Sequence, residues 1–230
     1  MSIIKKTIIS MRRFASNAEF DAALVERLER AISGPDAAGT ALMLSGGRTP
    51  LPTYRELAVR KPVPAKRLHL LFSDDRYVPI TSESSNFFQS RMLVDALGLA
   101  DDAVLRVRTE LPLEQAAADY ERQIANMLKS GIRISLGLLG LGADGHTASL
   151  FNTDNLEQAR GKLAIAVQRP DGLHGVSVTP ELLSQVAEPL FLVTGADKHA
   201  ILEEFLKSDS HLIARQAVAG NPKAEIWVAG

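Results

Sequence analysis

Residues 134–151 read ISLGLLGLGADGHTASLF and set one acid, Asp144, beside one imidazole, His146, among glycines at 140, 142 and 145. An imidazole is the side chain best suited to take and return a proton near neutral pH, and glycines permit the crowded backbone that holds it. The run before it, residues 134–141, is apolar apart from Ser135 and its glycines, the pattern of a strand buried on both faces of a parallel sheet. Residues 147–151 favour the start of a helix whose free N–H groups face the turn. One acid and one imidazole therefore sit on a tight turn at the carboxyl end of a buried strand.

Three readings of that turn stand side by side. Gly140, Gly142 and Gly145 fit the spacing of a dinucleotide-binding fingerprint, which needs a carboxylate about 20 residues on. Ala166, Val167 and Gln168 stand there instead. A plain strand-to-helix turn would make Asp144 a helix cap and His146 a solvated first-turn residue. The third reading is a general base held by a backbone-rich anion site, which needs matching groups from elsewhere in the chain.

The elements that must position these residues alternate along the chain. Ser16 and Glu19 form a capping box, and Phe20, Leu24 and Leu28 recur at helical spacing until Gly34-Pro35. Strands are expected at residues 7–10, on an edge, and at Thr40–Leu44, Leu68–Phe72, 104–107, 134–141, 163–167, 176–178, 189–193 and 225–228. Thr49-Pro50 signals one helix, and Ser84, Ser85 and Asn86 lead into another through Arg91 and Leu97 to Gly98. Leu113, Ala117, Tyr120, Ile124 and Leu128 mark a long helix ending at Gly131; Thr179-Pro180 opens a further helix, and residues 198–207 form another.

This alternation argues for an α/β fold, a mostly parallel central sheet flanked by helices on both faces, with ligands outside the carboxyl ends of the strands. Four polar clusters follow four of those strands: Ser45-Gly46-Gly47-Arg48, Asp74-Asp75-Arg76, Asp144-Gly145-His146 and Thr194-Gly195-Ala196-Asp197-Lys198. Each alone is an ordinary turn; together at one end of a sheet they form a site. No internal repeat or linker divides the chain, so residues 1–230 are expected to form a single domain.

Composition narrows the function classes. A chain of 230 residues with 46% hydrophobic and 23% charged residues is an ordinary globular protein able to bury a full core. A net charge of −1 gives no general attraction to nucleic acid or to an anionic membrane. The absence of cysteine excludes disulfides, thiolate metal sites and a cysteine nucleophile, and fits a cytoplasmic location. The basic, apolar N-terminus has no uninterrupted apolar run beyond pairs such as Ile3-Ile4, so no export signal is expected, and no membrane span either.

Absences narrow the chemistry further. There is no nucleophile elbow, no Walker loop and no pair of histidines at zinc spacing. His69 is expected in a strand, and His174, His199 and His211 at the surface. Ser149 lacks an orienting partner and is expected to pack or cap. What remains is acid-base chemistry by His146, with Arg76, Lys198 and helix N-termini available to an anion: a small anionic substrate, no metal and no cofactor.

At this point five motifs resemble the 6-phosphogluconolactonase family: SGGRTP from Ser45 to Pro50, SDDRYVP from Ser73 to Pro79, Ser85-Asn86, LGLGADGHTASLF from Leu139 to Phe151, and TGADK from Thr194 to Lys198. The wider superfamily of sugar-phosphate isomerases and deaminases, with a modified Rossmann-like sheet, shares a related Asp-Gly-His turn. Deaminases continue it toward a nearby glutamate, and Thr147-Ala148-Ser149-Leu150-Phe151 does not.

The resemblance implies hydrolysis of 6-phospho-D-glucono-1,5-lactone in the oxidative pentose phosphate pathway, with a small-molecule sugar phosphate as substrate and no nucleic acid or membrane partner. It implies His146 as general base and then acid, with Asp144 orienting it. Backbone N–H groups around Gly46, Gly47 or Gly142 would meet the oxyanion. Arg76, Lys198 and Arg48 would hold phosphate, with Ser45, Thr49, Asp74 and Asn86 completing the substrate site. A deaminase or isomerase of the same fold and a non-catalytic sugar-phosphate sensor are the alternatives. Two positions depart from the family pattern. Asp75 stands for a usual glutamate, and Gly175 stands for a usual phosphate-binding arginine, so either Arg169, His174 or Arg48 substitutes for it or phosphate is held more weakly than in relatives.

Overall fold

Apolar runs bounded by glycine, proline and capping residues set the element order. The computed structural model describes residues 9–34 and 39–230. It begins with β1 (Ser10–Phe14), α1 (Asn17–Ser33), β2 (Thr40–Leu44), α2 (Leu51–Arg60) and β3 (Leu68–Phe72). There follow β4 (Asp74–Arg76), α3 (Asn86–Leu97), α4 (Leu113–Lys129), β5 (Arg133–Gly140), α5 (Thr153–Gln158) and β6 (Ala164–Gln168). The chain closes with β7 (His174–Val178), α6 (Pro180–Leu183), β8 (Pro189–Thr194), α7 (His199–Leu206), α8 (Ile213–Ala217) and β9 (Glu225–Ala229).

Six strands form one sheet in the order β1-β9-β8-β5-β2-β3, every pair parallel. Both faces are covered, which is why these strands read as continuous apolar runs. Leu42 and Leu44 point to the face packed by Phe20, Leu24 and Leu28 of α1, Tyr54 of α2 and Leu93 of α3. Ala41 and Met43 alternate to the other face, with Tyr120 and Ile124 of α4 and Phe205 of α7. α1 starts as a capping arrangement should: Ser16 Oγ accepts from Glu19 N (3.2 Å), and the Glu19 carboxylate accepts from Ala15 N (3.1 Å).

Two buried tyrosines latch the strand ends that carry the site. The Tyr54 hydroxyl donates to Ser45 O (2.8 Å) and accepts from Ser45 N (3.2 Å), tying α2 to the end of β2. The Tyr120 hydroxyl donates to Phe72 O (2.6 Å) and accepts from Phe72 N (2.8 Å), tying α4 to the end of β3.

Several sequence expectations are corrected. Of the edge strand expected at residues 7–10, Thr7 and Ile8 lie outside the described residues, as does Pro35, and Ile9 is outside any strand; the described edge strand is Ser10–Phe14. Residues 104–107 form no strand: Val104 alone bridges to Leu70, and the chain then turns toward α4, where Gln123 Nε2 donates to Arg106 O (3.1 Å). β4 was not anticipated; it pairs antiparallel with β7, and β7 with β6, in a separate three-stranded sheet. Thr49 does not cap α2, because its hydroxyl is engaged by Thr194 Oγ1 (2.9 Å). Residues 147–151 do not open a helix. Ala148 takes a left-handed φ of +50°, Leu150 N turns back to Thr147 O (2.9 Å), and Ser149 N is drawn to Ser177 Oγ (3.1 Å). The next helix starts only at Thr153, capped by Asn152.

Candidate active site

The order of the strands places the site. After β2 the chain moves outward to β3, and after β5 it moves the other way to β8 and β9. The connections leaving β2 and β5 therefore diverge to opposite faces and open a crevice at their carboxyl ends, where ligands of α/β sheets collect. The strands preceding the four polar clusters, β8, β5, β2 and β3, are consecutive neighbours.

A cavity of about 180 Å³ fills this crevice, lined by Ser45, Gly46, Gly47, Ser73, Asp74, Arg76, Asn86, Gly140, Gly142, His146, Ala148 and Arg169. An adjoining cavity of about 480 Å³ shares Ser45, Gly46 and Gly47 and is lined further by Arg48, Thr49, Thr194 and Lys198. The substrate residues expected from sequence thus divide into two groups on either side of the 45–47 turn. A larger cleft of about 870 Å³ beside α3 and α4 contains none of them, and its Arg91, Arg106 and Arg108 are paired with Asp95, Glu110 and Asp119.

The imidazole is fixed from behind. His146 Nδ1 pairs closely with Asp144 Oδ1, which also accepts from His146 N (3.3 Å). An Nδ1–H donated to a carboxylate leaves the Nε2 lone pair for a proton, and Nε2 makes no hydrogen bond among the described residues. Burial pushes the Asp144 carboxyl up, but the hydrogen bond and charge of His146 outweigh it and hold the carboxyl below its ordinary value. The Phe151 ring packs beside the imidazole, 4.6 Å between centroids at 45°. Gly142 is required here: a Cβ would overlap the imidazole, and Gly142 N donates to His146 O (2.9 Å). That N–H is already spent, so it is not an oxyanion donor. Gly47 N is engaged by Gln89 Oε1 (3.2 Å), which leaves Gly46 N–H as the one of the three without a hydrogen-bond partner among the described residues.

The second cluster is a buried polar network. Asp74 Oδ2 accepts from Ser149 Oγ (2.6 Å), and its Oδ1 accepts from Ser73 Oγ and Asn86 Nδ2 (both 3.1 Å). Ser149, expected to lack an orienting partner and to pack or cap in a first helical turn, is instead a buried connector whose hydroxyl also accepts from Arg169 Nη1 (2.7 Å). Arg76 Nη1 is held closely by Asn86 Oδ1, and a side chain on Gly46 would overlap Asn86. Asp75 points away from the cavity and accepts from Ser85 Oγ (3.0 Å), Asn86 N (2.6 Å) and Phe87 N (3.2 Å), the first N–H groups of α3. Burial raises its carboxyl to about 6 against those three bonds.

Sequence reasoning did not foresee Phe151 or α8 as parts of the site. Leu212, just before α8, covers Gly145, and Ala214 N donates to Gly145 O (2.9 Å). Among the described residues no three His, Asp or Glu side chains gather as a metal site would require, and no helix is long and apolar enough to cross a membrane.

Known proteins resemble the chain along most of its length. The 6-phosphogluconolactonase of Thermotoga maritima is 37% identical over 193 residues, 82% of this chain and 83% of that protein. The human 6-phosphogluconolactonase is 32% identical over 208 residues, 84% of this chain and 80% of its own. The crystal structure of 6-phosphogluconolactonase from Thermotoga maritima superimposes with a TM-score of 0.84 at 30% identity, covering 96% of this chain and all (100%) of that one. With a family model matching residues 14–227, the chain belongs to the glucosamine-6-phosphate isomerases/6-phosphogluconolactonase family.

Proposed function

We propose that this chain hydrolyses 6-phospho-D-glucono-1,5-lactone to 6-phosphogluconate, the lactone step of the oxidative pentose phosphate pathway. The observation that carries the reading is the Asp144–His146 pair, backed into Gly142 and facing a cavity that Arg76 and Arg169 also line. The names and coverage of the relatives support the same substrate.

In the first step His146 Nε2 takes a proton from water as its oxygen bonds to the lactone carbonyl carbon. The carbonyl electrons move to oxygen, and Gly46 N–H is the backbone donor left to meet that oxyanion. In the second step the oxyanion collapses, the bond from carbon to ring oxygen breaks, and the imidazolium returns its proton to the departing oxygen. Asp144 holds the tautomer and stabilises the cation between the two steps. Ser45, Asp74 and Asn86 face the sugar ring, while Arg48, Thr49 and Lys198 extend the site beyond the 45–47 turn.

The test is hydrolysis of the phosphorylated lactone measured against its spontaneous rate. His146→Ala should lower kcat by about 10² to 10⁴, the usual worth of a positioned acid-base group, with an unchanged melting profile. A folded His146→Ala protein with wild-type kcat removes His146 from the mechanism.

A further inference from the structure

The strand pair β6–β7 brings one cation into the catalytic cavity from an unexpected side. Val167 pairs with Gly175, and two residues past Val167 the Arg169 side chain folds back across β7. A Cβ on Gly175 would stand 3.5 Å from Arg169 Cδ, 3.7 Å from Ser149 Oγ and 3.0 Å from the Asp75 carbonyl oxygen. The volume that a side chain at 175 would take is the volume the Arg169 stem crosses.

The guanidinium is held in place. Nη1 donates to Ser149 Oγ (2.7 Å), Nε donates to Asp171 (3.2 Å), and Asp74 lies 3.8 Å away. Its carbon stands 5.2 Å from the centroid of Phe151, the ring that also touches His146. The side chain is only 9% exposed. Asp74 and Asp171 balance the charge of the guanidinium, as a buried cation needs. Nη2 makes no hydrogen bond among the described residues, and Arg169 lines the cavity together with Arg76. A guanidinium fixed on one edge and open on another is suited to meet a second planar or tetrahedral anion.

We propose that Arg169 is the principal contact for the substrate phosphate, and that Gly175 is the position whose missing side chain admits it. The guanidinium and the imidazole both stand against the Phe151 ring, so the phosphate contact and the proton-transfer group share one cavity wall. This rests on the lactone reading above. It also reverses what the empty position 175 suggests by itself: an arginine placed there would crowd Arg169 rather than fill a vacancy.

The experiment compares the phosphorylated lactone with unphosphorylated glucono-1,5-lactone. Because the phosphate is remote from the reacting carbon, Arg169→Ala should act on KM more than kcat and shift the ratio of the two KM values by about 10- to 100-fold. Gly175→Arg should raise KM for the phosphorylated lactone, and Arg169→Ala combined with Gly175→Arg should recover part of the loss. Equal losses on both lactones would show a structural brace instead, and a ratio shifted by Lys198→Ala but not by Arg169→Ala would place the phosphate on the other side of the 45–47 turn. Either outcome overturns the proposal. Binding of inorganic phosphate by calorimetry separates the two readings: if wild type hydrolyses neither lactone, weaker phosphate binding by Arg169→Ala still supports the anion site, and unchanged binding sinks it.

Discussion

A methyl group on Gly142 would overlap the His146 imidazole and press on the Asp144 carboxylate, so the Asp144–His146 pair exists only because that position has no side chain. Gly142→Ala should therefore push the ring off Asp144 and lower kcat by about 10² or more, since a misplaced acid-base group loses most of its worth. Gly220→Ala is the control, because a Cβ there makes only an ordinary contact with Ser184 (3.5 Å) and lies outside both cavities. Similar kcat values for the two variants would show that the imidazole tolerates displacement. At this scale the site was legible where its members are neighbours in sequence. Asp144 and His146 sit two residues apart on one turn, and spacing reveals them. Contacts such as Gly46 with Asn86 or Arg169 with Gly175 join residues on separate elements, and no local pattern records them.

Elements carry the next level of constraint, and Asp75 shows how. It caps α3 from β4, so a three-residue strand fixes the helix that presents Asn86 to Arg76. Its carboxyl is raised to about 6, above the unfolded value of about 3.9, so its contribution to stability is complete below about pH 4 and is lost as pH rises through 6. A shift of about two units corresponds to about 3 kcal/mol across that window. Asp75→Asn keeps one acceptor for the cap, puts an N–H donor where the second acceptor stood, and should abolish this slope. Denaturant melts of both proteins from pH 4 to 7 check it, and a constant difference between them would mean that Asp75 does not titrate there. The tyrosine latches make a parallel case. Tyr120→Phe strands Phe72 N and O in the core and should cost about 1–3 kcal/mol, read as a fall in Tm of about 2–4 °C per kcal/mol. The long strands and helices were legible because buried runs and caps are written locally; β4 was not, because Asp74-Asp75-Arg76 has no apolar alternation and becomes a strand only by pairing with β7. The false helix after His146 failed for the same reason: Ser177 Oγ, from a distant strand, captures Ser149 N.

The whole molecule converges on one crevice because its connections reverse direction between β2 and β5, and the C-terminal part of the chain returns to close it. Gly145 sits at φ +84°, where a side chain is strained, and Leu212 lies against it with Cγ 3.2 Å from where a Cβ would stand. Ala214 N adds a hydrogen bond to Gly145 O (2.9 Å), so the turn carrying Asp144 and His146 is braced by a segment far along the chain. Leu212→Ala removes the covering side chain and leaves the backbone bond. The turn should then sample positions in which His146 is out of reach of the carbonyl, and kcat should fall several-fold on phosphorylated and unphosphorylated lactone alike, with KM little changed. That pattern is the opposite of the one expected for Arg169, which acts on the remote phosphate and so on KM. Leu212 is half-buried, and the variant should also lose about 1–2 kcal/mol of stability. A lower Tm with kcat unchanged on both lactones would show that Leu212 only packs and does not position the turn.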